Sequence, residues 1–127
     1  MTKINPVIVY VGELNRALAL QEAVKPCGWT ILFPEEAMEA LAMQVFYYPD
    51  AFVIEESATN DNARDVYAHL RSVEAENLVV LTNAAASWGI PNESAIRALP
   101  IYTSVEALID ALTDMVEPSY ESVAVMG

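Results

Sequence analysis

The sequence has little positive charge. Its 127 residues include six Lys plus Arg against eighteen Asp plus Glu, so the formal net charge is -12 at pH 7. A protein that binds nucleic acid or an anionic membrane needs clustered basic side chains that neutralise phosphates. We therefore expect neither nucleic acid nor a membrane among the partners of this chain.

Cysteine and histidine are also scarce. The single cysteine, Cys27, cannot form an internal disulfide, and no second Cys or His lies near it at a metal-ligand spacing. We expect Cys27 to be a small buried residue at a helix end. The single histidine, His69, lies four residues after Asp65, a spacing that supports a surface pair on a helix. Neither residue indicates a metal site, and we expect no cofactor.

Long hydrophobic runs and glycine-rich loops are missing. The first apolar run ends at Gly12 after six residues, which is too short for a signal-peptide core or a membrane span. We therefore expect a cytoplasmic protein. The four glycines are scattered and form no phosphate-cradling loop, dinucleotide fingerprint or nucleophile elbow. These absences make an enzyme the weaker hypothesis.

The sequence does contain 54% hydrophobic residues, in short runs that alternate with segments of helical period. This pattern is typical of repeated β-α units around a parallel sheet. It predicts one α/β domain at residues 1–117, with helices on both faces of the sheet in three layers, and a tail at 118–127. Strands are predicted at 6–11, 29–33, 51–54, 78–81 and 98–102. Helices are predicted at 14–24, 34–48, 63–73 and 92–97, and one more begins at a capping box, 103–106.

Residues that follow the strands are the first candidates for a functional site. In a doubly wound sheet, ligands bind outside the carboxyl ends of the strands. These positions hold Gly12, Glu13, Glu55, Glu56, Thr82, Asn83 and residues 101–103. Adjacent strand residues point to opposite faces, so Glu55 and Glu56 are not expected to form one bidentate site. Pro100 lies in the fifth predicted strand and therefore places that strand at a sheet edge.

Three local motifs carry a resemblance to a known family. They are PDAFVIEE at 49–56, LVVLTNA at 78–84, and GELN at 12–15 followed by a helix and CGWTI at 27–31. In order and spacing they resemble the receiver domain of two-component response regulators, a CheY-like, flavodoxin-like fold, over residues 6–117. The resemblance implies the strand order 2-1-3-4-5. It also places Glu55 at the phosphoacceptor position and Thr82 at the hydroxyl that contacts the phosphoryl group.

The departures from the family pattern are systematic. The metal-binding acidic pair falls on Val11 and Gly12, and a shift of the register by one residue leaves only Glu13 as an acid. The lysine of the fifth strand falls on Ile101, and the acceptor is Glu rather than Asp. Phosphoryl transfer to a carboxylate needs a divalent cation held by carboxylates. The resemblance therefore implies a degenerate receiver whose pocket consists of Gly12, Glu13, Glu55, Thr82 and Ile101.

The leading hypothesis is a stand-alone pseudo-receiver that works by protein-protein contact, as a homodimer or with an unidentified signalling protein. One alternative is an atypical but functional receiver that binds phosphate or a small anion at the strand ends. Another is a small acidic enzyme that uses Glu13 and Glu55.

The sequence leaves the roles of two groups of side chains open. Glu55 either enters the crevice as a permanent negative charge or is simply solvated. The second group consists of apolar residues near the last strand, where receiver domains form their dimerisation and output face. The candidates are Trp88, Ile90, Ile101 and Tyr102. Trp and Tyr are favoured anchors of interfaces, yet Trp88 is equally suited to cap the core.

Overall fold

The computed structural model describes residues 6–34, 36, 39–56, 63–91 and 95–116 of the chain. The strands are β1 (Val7–Val11), β2 (Thr30–Leu32), β3 (Ala51–Glu55), β4 (Leu78–Leu81) and β5 (Ile96–Leu99). The helices are α1 (Leu14–Val24), α2 (Glu39–Tyr47), α3 (Ala63–Ser72), α4 (Ala85–Trp88) and α5 (Val105–Val116), and a 3-10 turn (Lys25–Cys27) follows α1. The predicted tail at 118–127 lies outside the described residues.

The strands form one parallel five-stranded sheet in the order β2-β1-β3-β4-β5. The predicted α/β fold and its strand order are therefore confirmed. Continuous apolar strands are suited to this position because both faces of a parallel sheet are covered by helices. All of β3 and β4 is buried accordingly.

The two faces of the sheet pack against different helices. Alternate residues of β3 divide between two apolar clusters, since neighbouring side chains point to opposite faces. Val53 lies in the cluster that contains Leu20 of α1 and Leu112 of α5. Ile54 lies in the opposite cluster, together with residues of α2, α3 and α4. Glu55 follows the alternation of Val53 and so begins on the α1 side.

The fifth strand differs from the prediction. It was expected at 98–102, but β5 is Ile96–Leu99 and Pro100 follows it. Proline has no N–H for the ladder, so the strand ends before it. Residues 101–102 form a turn instead, in which the Thr103 N–H donates to the Pro100 carbonyl over 3.0 Å. The predicted edge position of β5 is confirmed, because β5 pairs only with β4 in the sheet order.

The fourth helix also differs. A helix at 92–97 is wrong for residues 95–97, which form a turn and the start of β5, while 92–94 lie outside the described residues. The helix between β4 and β5 is the four-residue α4, which ends at Gly89 with φ 70°. A left-handed residue is a common helix end and favours glycine. So short an element has too few residues to show a helical period in the sequence.

Two smaller expectations need correction. Cys27 is exposed rather than buried, because the 3-10 turn carries it to the surface ahead of the left-handed Gly28. The cap of α5 is Ser104, one residue later than the capping box suggested, since Ser104 Oγ accepts from the Ala107 N–H over 3.1 Å. The Thr103 hydroxyl donates to the Pro100 carbonyl instead.

In the part of the chain that the structure describes, none of the helices has the length and apolarity needed to cross a membrane.

Candidate functional site at the carboxyl ends of the strands

Glu55 is a buried carboxylate at the end of β3. It is 2% exposed, so the alternative of a solvated side chain is wrong. Its Oε1 accepts hydrogen bonds from the Tyr10 hydroxyl over 3.0 Å and from the Glu13 backbone N–H over 2.9 Å. Its Oε2 lies 3.6 Å from Nε of Arg16, which makes an ion pair. Burial of a charge is costly unless the charge is paired and hydrogen-bonded, and these contacts meet that need.

Gly12 is required by the path of the Glu55 side chain. A Cβ added to Gly12 would lie 2.5 Å from Glu55 Oε1 and 2.6 Å from Glu55 Cβ. Real Cβ atoms essentially never come so close to another heavy atom. A side chain at position 12, acidic or otherwise, is therefore incompatible with Glu55 in this place.

Tyr10 binds Glu55 from within the core. Its ring belongs to the apolar cluster on the α1 side and is 1% exposed. Burial raises the pKa of the Tyr10 hydroxyl above its ordinary value of 10.0, and the charge and hydrogen bond of Glu55 raise it further. The nearby Arg16 lowers this pKa in part. The hydroxyl is consequently held protonated and donates its hydrogen to Glu55.

Arg16 approaches Glu55 from the first turn of α1. Its side chain is 22% exposed, so the ion pair is screened only in part from water. Nη1 of Arg16 is a buried atom without a hydrogen-bond partner in the described part of the chain. The guanidinium is thus held beside Glu55, with Nε facing Oε2.

Glu56 turns toward the opposite face and binds Thr82. The Thr82 hydroxyl donates to Glu56 Oε1 over 2.6 Å and accepts from the Ala84 N–H over 3.0 Å. The indole Nε1 of Trp88 donates to the second oxygen of Glu56 over 3.3 Å. The expected divergence of Glu55 and Glu56 is present. The Thr82 hydroxyl, to which the resemblance assigned the contact with the phosphoryl group, is bonded to Glu56 rather than Glu55.

Trp88 connects Glu56 to helices α3 and α4. It is 8% exposed and belongs to the core, which was one of the two roles considered for it. Its ring lies 5.8 Å from the Tyr67 ring at an interplanar angle of 56°. The guanidinium carbon of Arg64 lies 5.4 Å from the ring centroid, and Arg64 also donates to the Ser87 hydroxyl over 2.9 Å. A cation over an indole face is attracted by the ring quadrupole.

The remaining sequence-derived candidates lie apart from these two carboxylates. The Glu13 side chain is exposed, and its backbone N–H donates to Glu55. Ile101 is half-buried, and its N–H donates to the side-chain oxygen of Asn83 over 3.1 Å. Ile90 is half-buried against the α3 side of the core, whereas Tyr102 is 86% exposed. The structure brings Gly12, Glu13 and Glu55 together, and Thr82 joins Glu56 in a second group.

The donor set does not fit a divalent cation of the kind that receiver domains use. Hard cations such as Mg²⁺ are bound by carboxylate oxygens and waters in near-octahedral geometry. Val11 and Gly12 supply no side-chain oxygen, and Glu55 already faces Tyr10 and Arg16. Among the described residues, no group of three His, Cys, Asp or Glu is placed to hold a metal ion.

Sequence reasoning missed two members of this site, Tyr10 and Arg16. A signal for each was present. Tyr10 is the one hydroxyl-bearing residue in the otherwise aliphatic β1, VIVYV, and Arg16 is the one basic residue of α1. A buried hydroxyl usually finds a hydrogen-bond partner, and the glutamate of the neighbouring strand was available.

Comparison with solved structures shows that the fold of this chain is a known one. The chain is similar to the signal receiver domain of a putative Luxo repressor protein from Vibrio parahaemolyticus, with a TM-score of 0.73 and 13% identity over 97% of this chain and 98% of that one. A response regulator receiver domain from Bermanella marisrubri has a TM-score of 0.69 and 18% identity over 91% and 99% of the two chains. The pseudo-receiver domain of the CikA protein has a TM-score of 0.60 and 13% identity over 87% and 95%.

These likenesses show that the chain has the fold of response-regulator receiver domains. At such low identity they show the fold alone. No protein-family model matches the sequence, and no curated protein matches it.

Proposed function

We propose that this chain is a receiver-like signalling module that acts through protein contacts and does not undergo Mg²⁺-dependent phosphorylation of a strand-end carboxylate. The proposal rests on the contacts of the Glu55 carboxylate, which accepts hydrogen bonds from Tyr10 and Glu13 and pairs with Arg16. An acceptor carboxylate must present an oxygen to the incoming phosphorus atom in line with its leaving group. Both oxygens of Glu55 already have partners inside the protein.

The second group supports the same conclusion. In a functional receiver the hydroxyl at position 82 would contact the phosphoryl group carried by the acceptor carboxylate. Here a carboxylate from the same chain, that of Glu56, binds Thr82 over 2.6 Å. An external anion would have to displace Glu56 and then lie beside two negative charges. Like charges so close together oppose binding, which disfavours the alternative of a phosphate or small-anion site.

Glu56 can hold such a module in one conformation without phosphorylation. Its two oxygens bind the end of β4 through Thr82 and helix α4 through Trp88. This carboxylate is a permanent part of the chain, so its contacts need no phosphate donor. The loop after β4 and α4 are therefore fixed in one arrangement, which a partner protein can recognise. In the described part of the chain the Glu13 side chain is exposed and Glu55 is bonded to Tyr10 and Arg16, an arrangement that gives the enzyme alternative no support.

The nature of the partner stays a prediction from the sequence, as does a cytoplasmic location. The deficit of basic residues, six against eighteen acids, argues for a protein rather than a nucleic acid.

The test is a titration of the isotopically labelled full chain with beryllofluoride and Mg²⁺, followed through the amide resonances of Glu55, Glu56 and Thr82. We expect no saturable shifts. A phosphorylatable receiver domain titrated in parallel is the positive control, and Mg²⁺ without beryllofluoride controls for ionic strength. Saturable shifts at Glu55 or Thr82 with beryllofluoride would overturn the proposal.

A further inference from the structure

Helix α2 is uncharged along almost its whole length. Residues 40–49, ALAMQVFYYP, contain no Asp, Glu, Lys or Arg. A helix that is apolar all round is normally enclosed in the protein. Yet Ala40 is the one buried residue of α2. The helix therefore has the composition of a covered element and the exposure of a surface one.

The exposure is concentrated at the end of the helix. Val45 is 58% exposed, Phe46 75%, Tyr47 57% and Tyr48 78%. We call residues 45–48 the α2 patch. Single exposed apolar residues are ordinary, but four consecutive exposed apolar residues are typical of an interaction surface.

Tyr48 adds an independent observation. It follows the last residue of α2 and has φ 47°, in the left-handed region. Glycine or asparagine is the usual residue there, because a Cβ crowds the backbone. A bulky aromatic residue in this conformation raises the local conformational free energy. The exposed Tyr48 ring does not offset this cost by burial within the monomer. Such costs are characteristic of functional positions.

We propose that the α2 patch is a homodimer interface, covered by the same patch of a second copy of this chain. The available area supports a second copy. Aromatic residues bury about 200 Å² each when enclosed, so the patch offers roughly 500 Å² per copy at the exposures given. Complete enclosure of both patches would bury about 1,000 Å² in total, which is the size of a weak or transient interface. A two-fold arrangement places each patch on itself, as most homodimers do.

The distribution of charge supports a second copy over a basic partner. A basic peptide would find no acid within residues 40–49. The next acid along the chain, Asp50, uses its Oδ2 to accept from the Val7 N–H over 2.7 Å. Two uncharged patches bring no like charges into contact, although each chain carries a net charge of -12. That long-range repulsion is screened beyond about 8 Å at physiological ionic strength.

This charge arrangement gives the proposed dimer a distinctive salt dependence. Salt weakens the repulsion between two acidic chains and leaves an apolar contact intact. Dimerisation through the patch should therefore strengthen as NaCl is raised. Association with a basic partner would weaken instead.

The experiment is sedimentation equilibrium of the full chain from about 1 µM to about 1 mM, a range that spans weak to moderate affinities, at low and high NaCl. We expect the mass to rise from that of one 13.9 kDa chain to twice that value. Phe46→Glu should abolish the rise, since it places a charge at the centre of the patch. Tyr48→Asn should weaken it at least tenfold, and asparagine tolerates the left-handed backbone, so this variant preserves the fold.

Tyr102→Glu is the matched control. Tyr102 is 86% exposed and lies beyond the carboxyl end of the edge strand β5, whereas residue 48 precedes the amino end of the central strand β3. The control should dimerise as the wild type does. A monomer throughout the range, a dimer that survives both Phe46→Glu and Tyr48→Asn, or one that Tyr102→Glu dissolves would each overturn the proposal. The beryllofluoride titration does not depend on this surface, so the two proposals fail separately.

Discussion

Gly12 and Glu55 are fitted to each other at the carboxyl edge of the sheet. The Glu55 side chain lies over the Gly12 backbone so closely that an added Cβ would be 2.5 Å from Oε1 and 2.6 Å from Cβ of Glu55. Oε1 also accepts a hydrogen bond from the backbone N–H of Glu13, the residue after Gly12. The absence of a side chain at position 12 and the buried acid at position 55 are two aspects of one packing arrangement.

Gly12→Ala should destabilise the fold by about 3 kcal/mol, the upper part of the usual range for overpacking. One of the clashing atoms is Glu55 Cβ, which is fixed to the backbone of β3 and cannot rotate away. Urea denaturation gives the loss in the free energy of unfolding.

A double-mutant cycle identifies the cause of that loss. In a Glu55→Gly background the added methyl group has room, so Gly12→Ala should have a much smaller effect. Gly89→Ala is the control, because a Cβ there meets nothing within 4 Å. It should cost about 1 kcal/mol from its left-handed backbone, independently of residue 55. Equal effects of Gly12→Ala in both backgrounds would contradict the assigned clash.

Tyr10→Phe should lower the free energy of unfolding by about 1 to 3 kcal/mol, because the buried Glu55 carboxylate loses a donor. Tyr102→Phe, at an 86% exposed site, should change it by less than about 0.5 kcal/mol. Thermal or urea unfolding at pH 7 provides the comparison. Equal effects of the two substitutions would show that the Tyr10 hydroxyl contributes nothing to Glu55.

The raised pKa of Tyr10 predicts a loss of stability in alkali. The unfolded chain releases this proton near pH 10.0, whereas the folded protein retains it. The contribution is therefore fully present below pH 10.0 and is lost as the pH rises above it, by up to about 1.4 kcal/mol per pH unit. Urea denaturation at a series of pH values from 8 to 11 measures this slope, and Tyr10→Phe should reduce it. An unchanged slope in the variant would assign the alkaline loss to other groups.

Glu56→Ala should release both Thr82 and Trp88. We expect a loss of about 1 to 3 kcal/mol in the free energy of unfolding, since two buried donors lose their acceptor. The indole N–H resonance of Trp88 should move upfield as its hydrogen bond is lost, and Glu56→Gln should give a smaller shift because one amide oxygen remains as an acceptor. Ser104→Ala is the control. It removes the cap of α5, at about 1 kcal/mol, and should leave the indole resonance in place.

The sequence was sufficient for the sheet because its central strands are continuous apolar runs. Continuous apolar strands are typical of a sheet that is covered on both faces. The runs at 51–54 and 78–81 (LVVL) form such strands at the predicted positions. Short elements were harder. The four residues of α4 are too few to show a helical period. IRAL at 96–99 alternates only weakly between apolar and polar residues, so the fifth strand was predicted at 98–102, across Pro100, instead of at 96–99.

The site was predictable in position but not in contacts. Topology places Glu55 and Thr82 at one edge of the sheet, and the motifs located both residues. Which carboxylate reaches the Thr82 hydroxyl depends on rotamers and neighbours that the sequence does not specify. Tyr10 and Glu55 are 45 positions apart, and their hydrogen bond exists only because β1 and β3 are neighbours in the sheet.

Glu55→Asp supplies the last prediction, since it restores the residue type of a phosphoacceptor at position 55. The shorter side chain retracts the carboxylate from Arg16 and Tyr10, and Gly12 remains without an oxygen. Under the proposed function the described pocket still offers no cation site, and Ile101 stands where the resemblance implies a lysine, so we expect no gain in phosphorylation. The variant and the wild type are incubated with acetyl phosphate and Mg²⁺ and compared by intact-protein mass spectrometry. An increase by the mass of one phosphoryl group in the variant alone would show that residue 55 is the sole defect of an otherwise competent pocket, and it would contradict the proposed loss of phosphorylation.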